Sequence, residues 1–390
     1  MKALVCKNKE LTVQSVTLPK LEKGDALLEV LRCGICGSDL HARSHCNHWG
    51  GIMQKAGYQN FMSEEQSVIM GHEFCGEILD YGPKSARRYK PGTKVCAIPL
   101  IRRNNVVNLI GFSADAGGAY AERMAVDENF MVPIPNGLNV DSAALTEPMA
   151  VGLHAVNRAE MKARDVAIVI GCGPVGMAVI ASLKAKGVKT IVASDFSAKR
   201  RELARKCGAH LLIDPAEQTP FDNWEEYGFF NTIPRGLDRL LEGFEKLRSL
   251  PMPWWHTWKI AEKLGATKPK FPVIFECVGM PGLINQIIEG APLYSKVVVA
   301  GVCMETDKIE PAQALNKEID LRFSTGYSPL EFRNTLHMLA NGKLNADPMI
   351  TATVGLHGIG NAFELLASAE EHAKILVNPA IQSTELAIVT

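Results

Sequence analysis

The feature that most constrains the fold is a glycine pattern, Gly171-x-Gly173-x-x-Gly176, directly after the apolar run Val166–Ile170. The first glycine permits a tight turn, the second lets backbone amides approach a phosphate, and the third lets helix and strand pack closely. A helix that begins here offers free N–H groups and partial positive charge to a pyrophosphate. In this context the pattern predicts a parallel α/β sheet that binds a dinucleotide. The predicted phosphate-binding residues are Gly171, Gly173, Pro174, Val175 and Gly176.

The acidic residue expected about 20 residues beyond the glycine pattern is Asp195, at the end of the next predicted strand. Its carboxylate can accept hydrogen bonds from the adenosine ribose hydroxyls and would repel a 2′-phosphate. This favours NAD over NADP as the cofactor. Three basic residues follow closely, Lys199, Arg200 and Arg201, and side chains of this kind could hold a 2′-phosphate. Arg200 is also a candidate cofactor ligand.

The pattern of strands and helices divides the chain into parts. Residues 1–150 predict short β segments between turns, and residues 151–312 predict alternating strands and helices, which indicates a parallel sheet with right-handed crossovers. Residues 313–390 return to a mixed pattern. Two stretches are irregular: residues 41–70 predict a long polar and aromatic loop. Residues 220–271 hold four of the five tryptophans and must form their own helices or a lid.

Composition excludes several functional classes. The 390 residues include 42 basic and 42 acidic side chains, and this balance gives no support to binding of nucleic acid or anionic membranes. The one long uncharged stretch, residues 166–183, contains the glycine turn and therefore predicts no membrane span. Ten cysteines are too sparse for a disulfide scaffold, and the first ten residues lack the apolar core of a secretion signal. We therefore expect a cytoplasmic protein whose partners are small molecules and copies of itself.

Residues of the kind that bind zinc occur in the β-rich part of the chain. Cysteine sulfur, histidine nitrogen and carboxylate oxygen are zinc ligands, and Cys36 and His72 with one or both of Glu73 and Glu147 could supply a catalytic set. Asp39 is a candidate to accept a hydrogen bond from His72 and orient its ring. Taken singly, a cysteine in an apolar strand is usually core, and a His-Glu pair is usually on the surface. The Cys-x-x-Cys spacing could also be a redox dithiol, although the strand–helix context of such motifs is missing.

The chain resembles the zinc-dependent medium-chain alcohol dehydrogenase family. Four runs carry the resemblance, in order: Cys33-Gly-Ile-Cys-Gly-Ser-Asp-Leu-His41, Gly71-His-Glu-Phe-Cys-Gly76, Gly117-Gly-Ala-Tyr-Ala-Glu122 and Gly171-Cys-Gly-Pro-Val-Gly176. The resemblance covers residues 1 to about 379. It implies an α/β fold with a GroES-like β-rich catalytic domain and a doubly wound Rossmann cofactor domain. The catalytic domain would comprise residues 1–150 and 313–390, and the NAD-binding domain residues 151–312, with the tryptophan-rich insert 220–271.

The resemblance also implies roles for individual residues. Cys36 and His72 match the ligands of the catalytic zinc. Glu147 matches a position that is cysteine in many members but glutamate in the polyol, butanediol and threonine dehydrogenase branch. Glu73 matches a carboxylate that can approach the metal during water exchange. Further matches are Ser38 and His41 for a proton relay, and Cys277, Val278, Gly301, Val302 and Lys374 for contacts with NAD.

The implied activity is hydride transfer between an alcohol and NAD, assisted by one zinc ion that acts as a Lewis acid. The structural zinc of many members needs four close cysteines, and between residues 95 and 120 the chain has only Cys96, so we expect none. A secondary alcohol or diol is the expected substrate. Two alternatives are a zinc-free quinone or enoyl reductase of the same superfamily and a catalytically silent binding protein.

The resemblance further implies a homodimer or homotetramer, often associated through an edge strand near residues 296–300. For the tryptophan-rich insert three roles stay open: a cap on the substrate cleft, a subunit contact, or a small core of its own.

Overall fold

This computed structural model describes residues 1–135, 137–222, 224–264, 271–368 and 372–389, and for residues 224 and 225 only the backbone. Residues 265–270, the end of the tryptophan-rich insert before Phe271, therefore lie outside the described residues.

The amino-terminal part is dominated by strands. Its elements are β1 (Lys2–Lys7), β2 (Glu10–Ser15), β3 (Asp25–Gly34), α1 (Gly37–Lys55), β4 (Val68–Ile69), β5 (Glu73–Tyr81), β6 (Lys94–Ala97), β7 (Leu100–Arg103), β8 (Val106–Leu109), β9 (Arg123–Asp127), β10 (Met131–Pro133), α2 (Val140–Ala144) and α3 (Thr146–Arg158).

The central part alternates between strands and helices. Its elements are β11 (Val166–Ile170), α4 (Pro174–Ala185), β12 (Thr190–Ser194), α5 (Ala198–Cys207), β13 (Leu211–Ile213), α6 (Ile233–Arg248), α7 (Trp254–Lys263), β14 (Val273–Glu276), α8 (Leu283–Gly290), β15 (Lys296–Val299), α9 (Pro311–Asn316) and β16 (Asp320–Phe323). The carboxyl-terminal part adds α10 (Pro329–Ala340), β17 (Ile350–Val354), α11 (Ile359–Ala367), β18 (Lys374–Val377) and β19 (Ala387–Ile388).

Two main sheets organise the described residues. One has eight strands and joins the amino-terminal part to the carboxyl-terminal part, because β3 pairs antiparallel with β5 and β9 from the former and with β18 from the latter. The other has six parallel strands in the order β13-β12-β11-β14-β15-β16. This is the order of a doubly wound sheet that binds dinucleotides at the point where the order reverses. The expected fold class is confirmed.

Burial explains why the central strands form the middle of the parallel sheet. The residues of β11 are buried except for half-exposed Ile170, and all residues of β14 and β15 are buried. Strands covered by helices on both faces carry such continuous apolar runs. On one side α3 and α4 pack on the sheet, and on the other α8 covers a second apolar cluster. None of the described helices has the length and apolarity that a membrane span needs.

The prediction of a loop over residues 41–70 is wrong for its first half. Helix α1 continues to Lys55, with one non-helical residue at His45. Three small residues spaced four apart, Ala42, Cys46 and Gly50, are buried on one face of this helix. Their spacing places them together on the core side, which stabilises a helix that otherwise consists largely of polar residues.

Two further expectations need correction. The parallel sheet does not end at residue 312, because β16 pairs in parallel with β15 as its sixth strand. For the same reason the strand at residues 296–300 is not an edge: β15 lies between β14 and β16, so the sheet edge on this side is β16. The chain therefore leaves the parallel sheet after Phe323, the last residue of β16. The sequence signal for β16 was weak because all its residues are half-exposed or exposed.

Candidate active site and cofactor cleft

The candidate metal-binding residues meet because of the register around β3. In the antiparallel pairs, Gly34 at the end of β3 lies opposite Glu73 at the start of β5 and opposite Leu376, the third residue of β18. The chain then turns at Cys36, the residue that precedes α1. Residues far apart in sequence are thereby collected at one end of the sheet.

Cys36, His72 and Glu73 form a compact ligand group. The sulfur, ring nitrogen and carboxylate oxygen that they offer all lie within 4.8 Å of one another, and within the described ranges no other group of three or more such side chains was found. This donor set, with one soft sulfur, one imidazole and one carboxylate, suits zinc. His72 is 6% exposed and Glu73 is fully buried, so a metal ion here would be screened from bulk water on this side.

The carboxylate of Asp39 fixes the orientation of the His72 ring. Oδ1 of Asp39 lies 3.1 Å from Nδ1 of His72, and Oδ2 accepts hydrogen bonds from the backbone N–H of Cys36 at 3.0 Å and from the hydroxyl of Tyr120 at 2.7 Å. Burial raises the pKa of Asp39, but the charge of His72 and these hydrogen bonds outweigh it and lower the pKa. The carboxylate therefore stays ionised and directs Nε2 of His72 towards Cys36 and Glu73. Sequence reasoning found Asp39 but missed Tyr120, whose motif was noted without a role.

We expect Asp39→Asn to weaken zinc binding about 10- to 100-fold, the usual effect of removing a partner that orients a ligand histidine. Asparagine cannot accept hydrogen bonds from His72, Cys36 and Tyr120 together, because its amide nitrogen is a donor. Competition with a chromophoric chelator measures the affinity. Asp80→Asn, an exposed change on β5, is the matched control. Equal zinc affinity in both variants would contradict the orienting role.

Glu73 is also bound to a buried lysine. Nζ of Lys374 donates to both carboxylate oxygens of Glu73, at 2.7 and 2.9 Å, and to the carbonyl of Ile35 at 2.9 Å. Burial lowers the pKa of Lys374, but Glu73 outweighs this effect and raises it. Gly34 is required here, because a Cβ at this position would lie 2.1 Å from Oε2 of Glu73. The predicted contact of Lys374 with NAD is not visible in this geometry, in which the side chain is fully buried against Glu73.

Glu147 stands in the first turn of α3, outside the compact ligand group. Burial raises its pKa to about 7; nearby Glu73 adds to this shift, while His72 and a hydrogen bond with Tyr327 oppose it. Burial and the charge of Glu147 raise the pKa of Tyr327 well above its usual value, so Tyr327 remains a phenol that donates to the carboxylate. Tyr327 precedes α10 and was not found from the sequence, since no local motif marks it.

The two residues predicted to form a proton relay, Ser38 and His41, lie on α1. Oγ of Ser38 lies 3.2 Å from Nε2 of His72, so its hydroxyl reaches the metal-binding group directly. His41 is half-buried one turn further along, and burial, followed by the charge of His45, lowers its pKa. The rings of His41 and His45 have centroids 6.4 Å apart. A histidine with a lowered pKa is mostly neutral at pH 7 and can accept a proton.

The glycine turn has the predicted close packing. A Cβ at Gly176 would lie 1.8 Å from the carbonyl oxygen of Gly171, so only glycine fits there. A Cβ at Gly173 would meet only Nη1 of Arg200, at 3.9 Å, so the start of α4 is open to a ligand. Nη2 of Arg200 donates to the carbonyl of His372, whereas its buried Nε has no partner. An open helix start beside a guanidinium fits the phosphates of a dinucleotide.

The carboxylate of Asp195 lies next to the glycine turn. Its Oδ2 accepts a hydrogen bond from the backbone N–H of Cys172 at 2.7 Å, and Oδ1 accepts from that of Ser197 at 2.8 Å. The guanidinium of Arg201 is already occupied: Nη2 pairs with the carboxylate of Asp214 at 2.9 Å, and Nη1 donates to the backbone carbonyl of Asp195 at 2.7 Å. Of the three basic residues that could hold a 2′-phosphate, Arg201 is therefore engaged by another carboxylate.

The remaining predicted cofactor residues follow β14 and β15. Cys277 is half-exposed. Val278 and Val302 are 39% and 40% exposed, and their apolar side chains lie at the carboxyl edge of the sheet. Buried Glu276 accepts a hydrogen bond from the backbone N–H of Val278 at 2.7 Å and holds this turn. A Cβ at Gly301 would lie 2.7 Å from Oε2 of Glu276, which explains the glycine. Glu276 had no sequence signal apart from its place at the end of a strand.

Comparison with known proteins shows which family shares this fold and these motifs. Residues 22–136 match the model of the alcohol dehydrogenase GroES-like domain. The chain is 30% identical over 382 residues to (R,R)-butanediol dehydrogenase of Bacillus subtilis (strain 168), which covers 95% of this chain and 97% of that protein. It is 31% identical over 319 residues to L-threonine 3-dehydrogenase of Streptomyces coelicolor (strain ATCC BAA-471 / A3(2) / M145), over 78% of this chain and 89% of that protein.

A solved structure shows the same fold. The crystal structure of 2R,3R-butanediol dehydrogenase from Bacillus subtilis superimposes with a TM-score of 0.72 and 28% identity, over 97% of this chain and 99% of that one. Together with the ligand group and the glycine turn, these similarities show that the chain belongs to the zinc-dependent medium-chain alcohol dehydrogenase family.

Proposed function

We propose that this protein is an NAD-dependent zinc alcohol dehydrogenase that interconverts a secondary alcohol or diol and its ketone. The observation that carries the proposal is the group of Cys36, His72 and Glu73, with ligand atoms within 4.8 Å of one another. The ligand group is also linked to the cofactor turn: Lys374 binds Glu73, and Arg200 beside Gly173 donates to the carbonyl of His372, two residues before Lys374. A zinc-free reductase or a silent binding protein is not favoured, since neither needs this group.

Zinc held by Cys36 and His72, with Glu73 and Glu147 as nearby carboxylates, would polarise the oxygen of an alcohol or ketone as a Lewis acid. The glycine turn, with Asp195 and Arg200, would hold NAD, which supplies the hydride acceptor. Ser38, whose Oγ lies 3.2 Å from Nε2 of His72, would accept the proton of the alcohol and give up its own. His41, neutral at pH 7, would receive the released proton and pass it to solvent.

The substrate class, the metal content and the assembly are part of this proposal. The names of two relatives specify (R,R)-butanediol and L-threonine, and Glu147 matches the branch to which they belong. We propose one catalytic zinc without a structural zinc, since Cys96 is the single cysteine between residues 95 and 120. We further propose a cytoplasmic homodimer or homotetramer whose catalytic unit combines residues 1–150 with the segment after Phe323.

The proposal is tested with the purified full chain. We expect about one zinc per subunit by elemental analysis, and NADH formation at its absorbance band with vicinal diols or other secondary alcohols from a panel of aliphatic, cyclic and polyhydroxy alcohols. A strong chelator should abolish the activity, and added zinc should restore it. A protein without zinc that forms no NADH with any alcohol would overturn the proposal.

We expect Asp195→Ala to weaken NAD binding about tenfold or more, because charge-assisted hydrogen bonds are worth about 1.5–3 kcal/mol and 1.4 kcal/mol is tenfold. Binding of NADP should change little or improve, since a repelling charge is removed. Fluorescence titration of each nucleotide measures both constants without turnover. Glu217→Gln, an exposed change after β13, is the control. An unaltered ratio of the two constants would contradict the assignment of Asp195.

A further inference from the structure

The helical hairpin formed by α6 and α7, here called the insert hairpin, is anchored at the amino edge of the parallel sheet. A Cβ at Gly236, in the first turn of α6, would lie 3.1 Å from Leu293, which precedes β15. The backbone N–H of Leu293 donates to the carbonyl of Phe230 just before α6, at 2.8 Å. Phe271, where the described chain resumes after α7, contacts Lys296 at the start of β15. Cofactors bind at the carboxyl edge of such a sheet, so this placement argues against a lid over the substrate.

The apolar stripe of α6 faces α7. The rings of Phe244 and Trp254 have centroids 4.8 Å apart, and both side chains line an apolar groove between the helices, together with Leu240, Leu241 and Trp258. These contacts hold the two helices together. They do not form a closed core, because neither helix contains a buried residue. The hairpin therefore stands on the surface of the protein.

The turn between the two helices is apolar throughout. Residues 250–255, here called the apolar tip, read Leu-Pro-Met-Pro-Trp-Trp, and every one of them is exposed. Leu250, Met252 and Trp255 are 46%, 45% and 50% exposed. A helix rises 1.5 Å per residue, so Arg248 at the end of α6 lies about 18 Å along the axis from the anchor at Gly236. A run of exposed apolar side chains at the far end of a hairpin is a surface that marks an interaction site.

The charged side chains are segregated along the insert hairpin. From residue 246 to residue 261 the chain has three basic side chains, Lys246, Arg248 and Lys259, and no acidic one. All three are exposed, and within the described ranges none of them forms an ion pair. The nearest acidic residues, Glu245 on α6 and Glu262 on α7, both lie towards the anchored ends. The even charge balance of the whole chain therefore conceals a locally basic end of the hairpin.

The chemistry of the tip favours a lipid surface over a protein partner. Tryptophan is enriched where lipid headgroups meet acyl chains, because its ring is apolar and its N–H is polar. Basic side chains beside apolar ones add attraction to anionic headgroups. Lysine, in contrast, is depleted at protein interfaces, and two of the three basic residues beside the tip are lysines.

We propose that the insert hairpin is a peripheral membrane anchor whose apolar tip enters the headgroup region of an anionic phospholipid surface. Lys246, Arg248 and Lys259 bind the headgroups, while Met252 and Trp255 reach the boundary with the acyl chains. The cytoplasmic leaflet of cell membranes carries such anionic lipids. The anchor lies on the surface without spanning the bilayer, and it does not depend on the proposed enzymatic activity.

Flotation of the purified full chain with phospholipid vesicles tests the proposal. One kind of vesicle contains one part phosphatidylserine to two parts phosphatidylcholine, and the other contains phosphatidylcholine alone. We expect the wild type to bind the mixed vesicles about a hundredfold more tightly, because each of the three basic side chains contributes about fivefold near an anionic surface. The triple variant Lys246→Gln, Arg248→Gln and Lys259→Gln should bind both kinds of vesicle equally.

The control for this variant has the same change of charge at exposed positions elsewhere: Lys7→Gln, Lys23→Gln and Lys90→Gln. It should keep the preference of the wild type for mixed vesicles. An equal loss of that preference in both triple variants would show that the overall charge of the protein, and not the tip, governs binding, and the proposal would be wrong.

A double variant tests the apolar tip itself. Met252→Glu with Trp255→Glu should weaken binding to mixed vesicles by about a hundredfold or more, about tenfold for each apolar side chain lost from the membrane. Leu18→Glu with Val106→Glu, at positions 48% and 47% exposed, is the matched control and should bind like the wild type. All four positions are exposed, so thermal unfolding should match that of the wild type.

Two results would overturn the proposal outright. One is a wild-type protein that floats with neither kind of vesicle, and the other is undiminished binding to mixed vesicles in the variant Met252→Glu with Trp255→Glu. Sedimentation without lipid covers a protein partner: if this variant had a lower mass than a wild type that binds no vesicles, the tip would be a contact between copies of the chain.

Discussion

Replacing Cys36 with serine should remove bound zinc and lower kcat/KM for alcohol oxidation by about a thousandfold or more. A serine hydroxyl is a poor ligand for zinc, and Cys36 supplies the only sulfur of the compact ligand group. The Lewis-acid contribution of a metal is worth several kcal/mol of transition-state stabilisation, and each 1.4 kcal/mol is about tenfold in rate. Elemental analysis gives the zinc content, and NADH absorbance gives the rate.

The matched control for this prediction is Cys46→Ser. Cys46 lies on α1, the helix that Cys36 precedes, and is buried, but it is not part of the ligand group. It should keep both zinc and activity, apart from a modest loss of stability. If Cys36→Ser kept stoichiometric zinc and normal turnover, the metal would have to bind elsewhere and the assignment of the ligand group would be wrong.

Replacing Lys374 with methionine should destabilise the protein by about 3–5 kcal/mol, the cost of leaving one charge of a buried ion pair without its partner. Lys374 and Glu73 are both fully buried, and the three hydrogen bonds of the ammonium group all end inside the protein. Methionine fills a similar volume but cannot donate, so the carboxylate of Glu73 would lose its counter-charge. Urea unfolding, measured with chelator present so that zinc affinity does not contribute, gives the change in free energy.

A double variant separates charge from packing. Lys374→Met with Glu73→Gln removes both charges, and we expect it to recover a large part of the loss, because no unpaired ion is left behind. Lys343→Met, an exposed change after α10, should stay within about 0.5 kcal/mol of the wild type. A loss below about 1 kcal/mol in Lys374→Met would show that Glu73 does not depend on this lysine.

Features encoded in short segments were predictable from the sequence. The glycine turn needs residues of one segment only, and a Cβ at Gly176 would clash with Gly171 five residues away. The pair Cys36 and Asp39 likewise belongs to a single turn at the start of α1. Local patterns also predicted the parallel sheet and indicated that the tryptophan-rich insert forms its own helices or a lid, and α6 and α7 are such helices.

The course of α1 and the edge of the parallel sheet were not predictable in the same way. Helix α1 is polar along most of its length, and it is stabilised by a narrow face of small residues that packs on the core. Strand β16 is short and partly exposed, and it exists because β15 offers an unpaired edge. In both cases tertiary packing outweighs a weak local preference.

The sequence by itself determined the fold class and the cofactor turn, because both depend on residue types at short spacing, and its resemblance to a family predicted the candidate metal-binding side chains. Only the tertiary structure decided which residues complete the site. Tyr120 reaches Asp39 and Lys374 reaches Glu73 across 81 and 301 residues of sequence, through strands that meet at β3. It also decided that both ends of the tryptophan-rich insert, at Phe230 and Phe271, lie at the amino edge of the parallel sheet. Contacts of this range follow from strand register and packing, which no local pattern encodes.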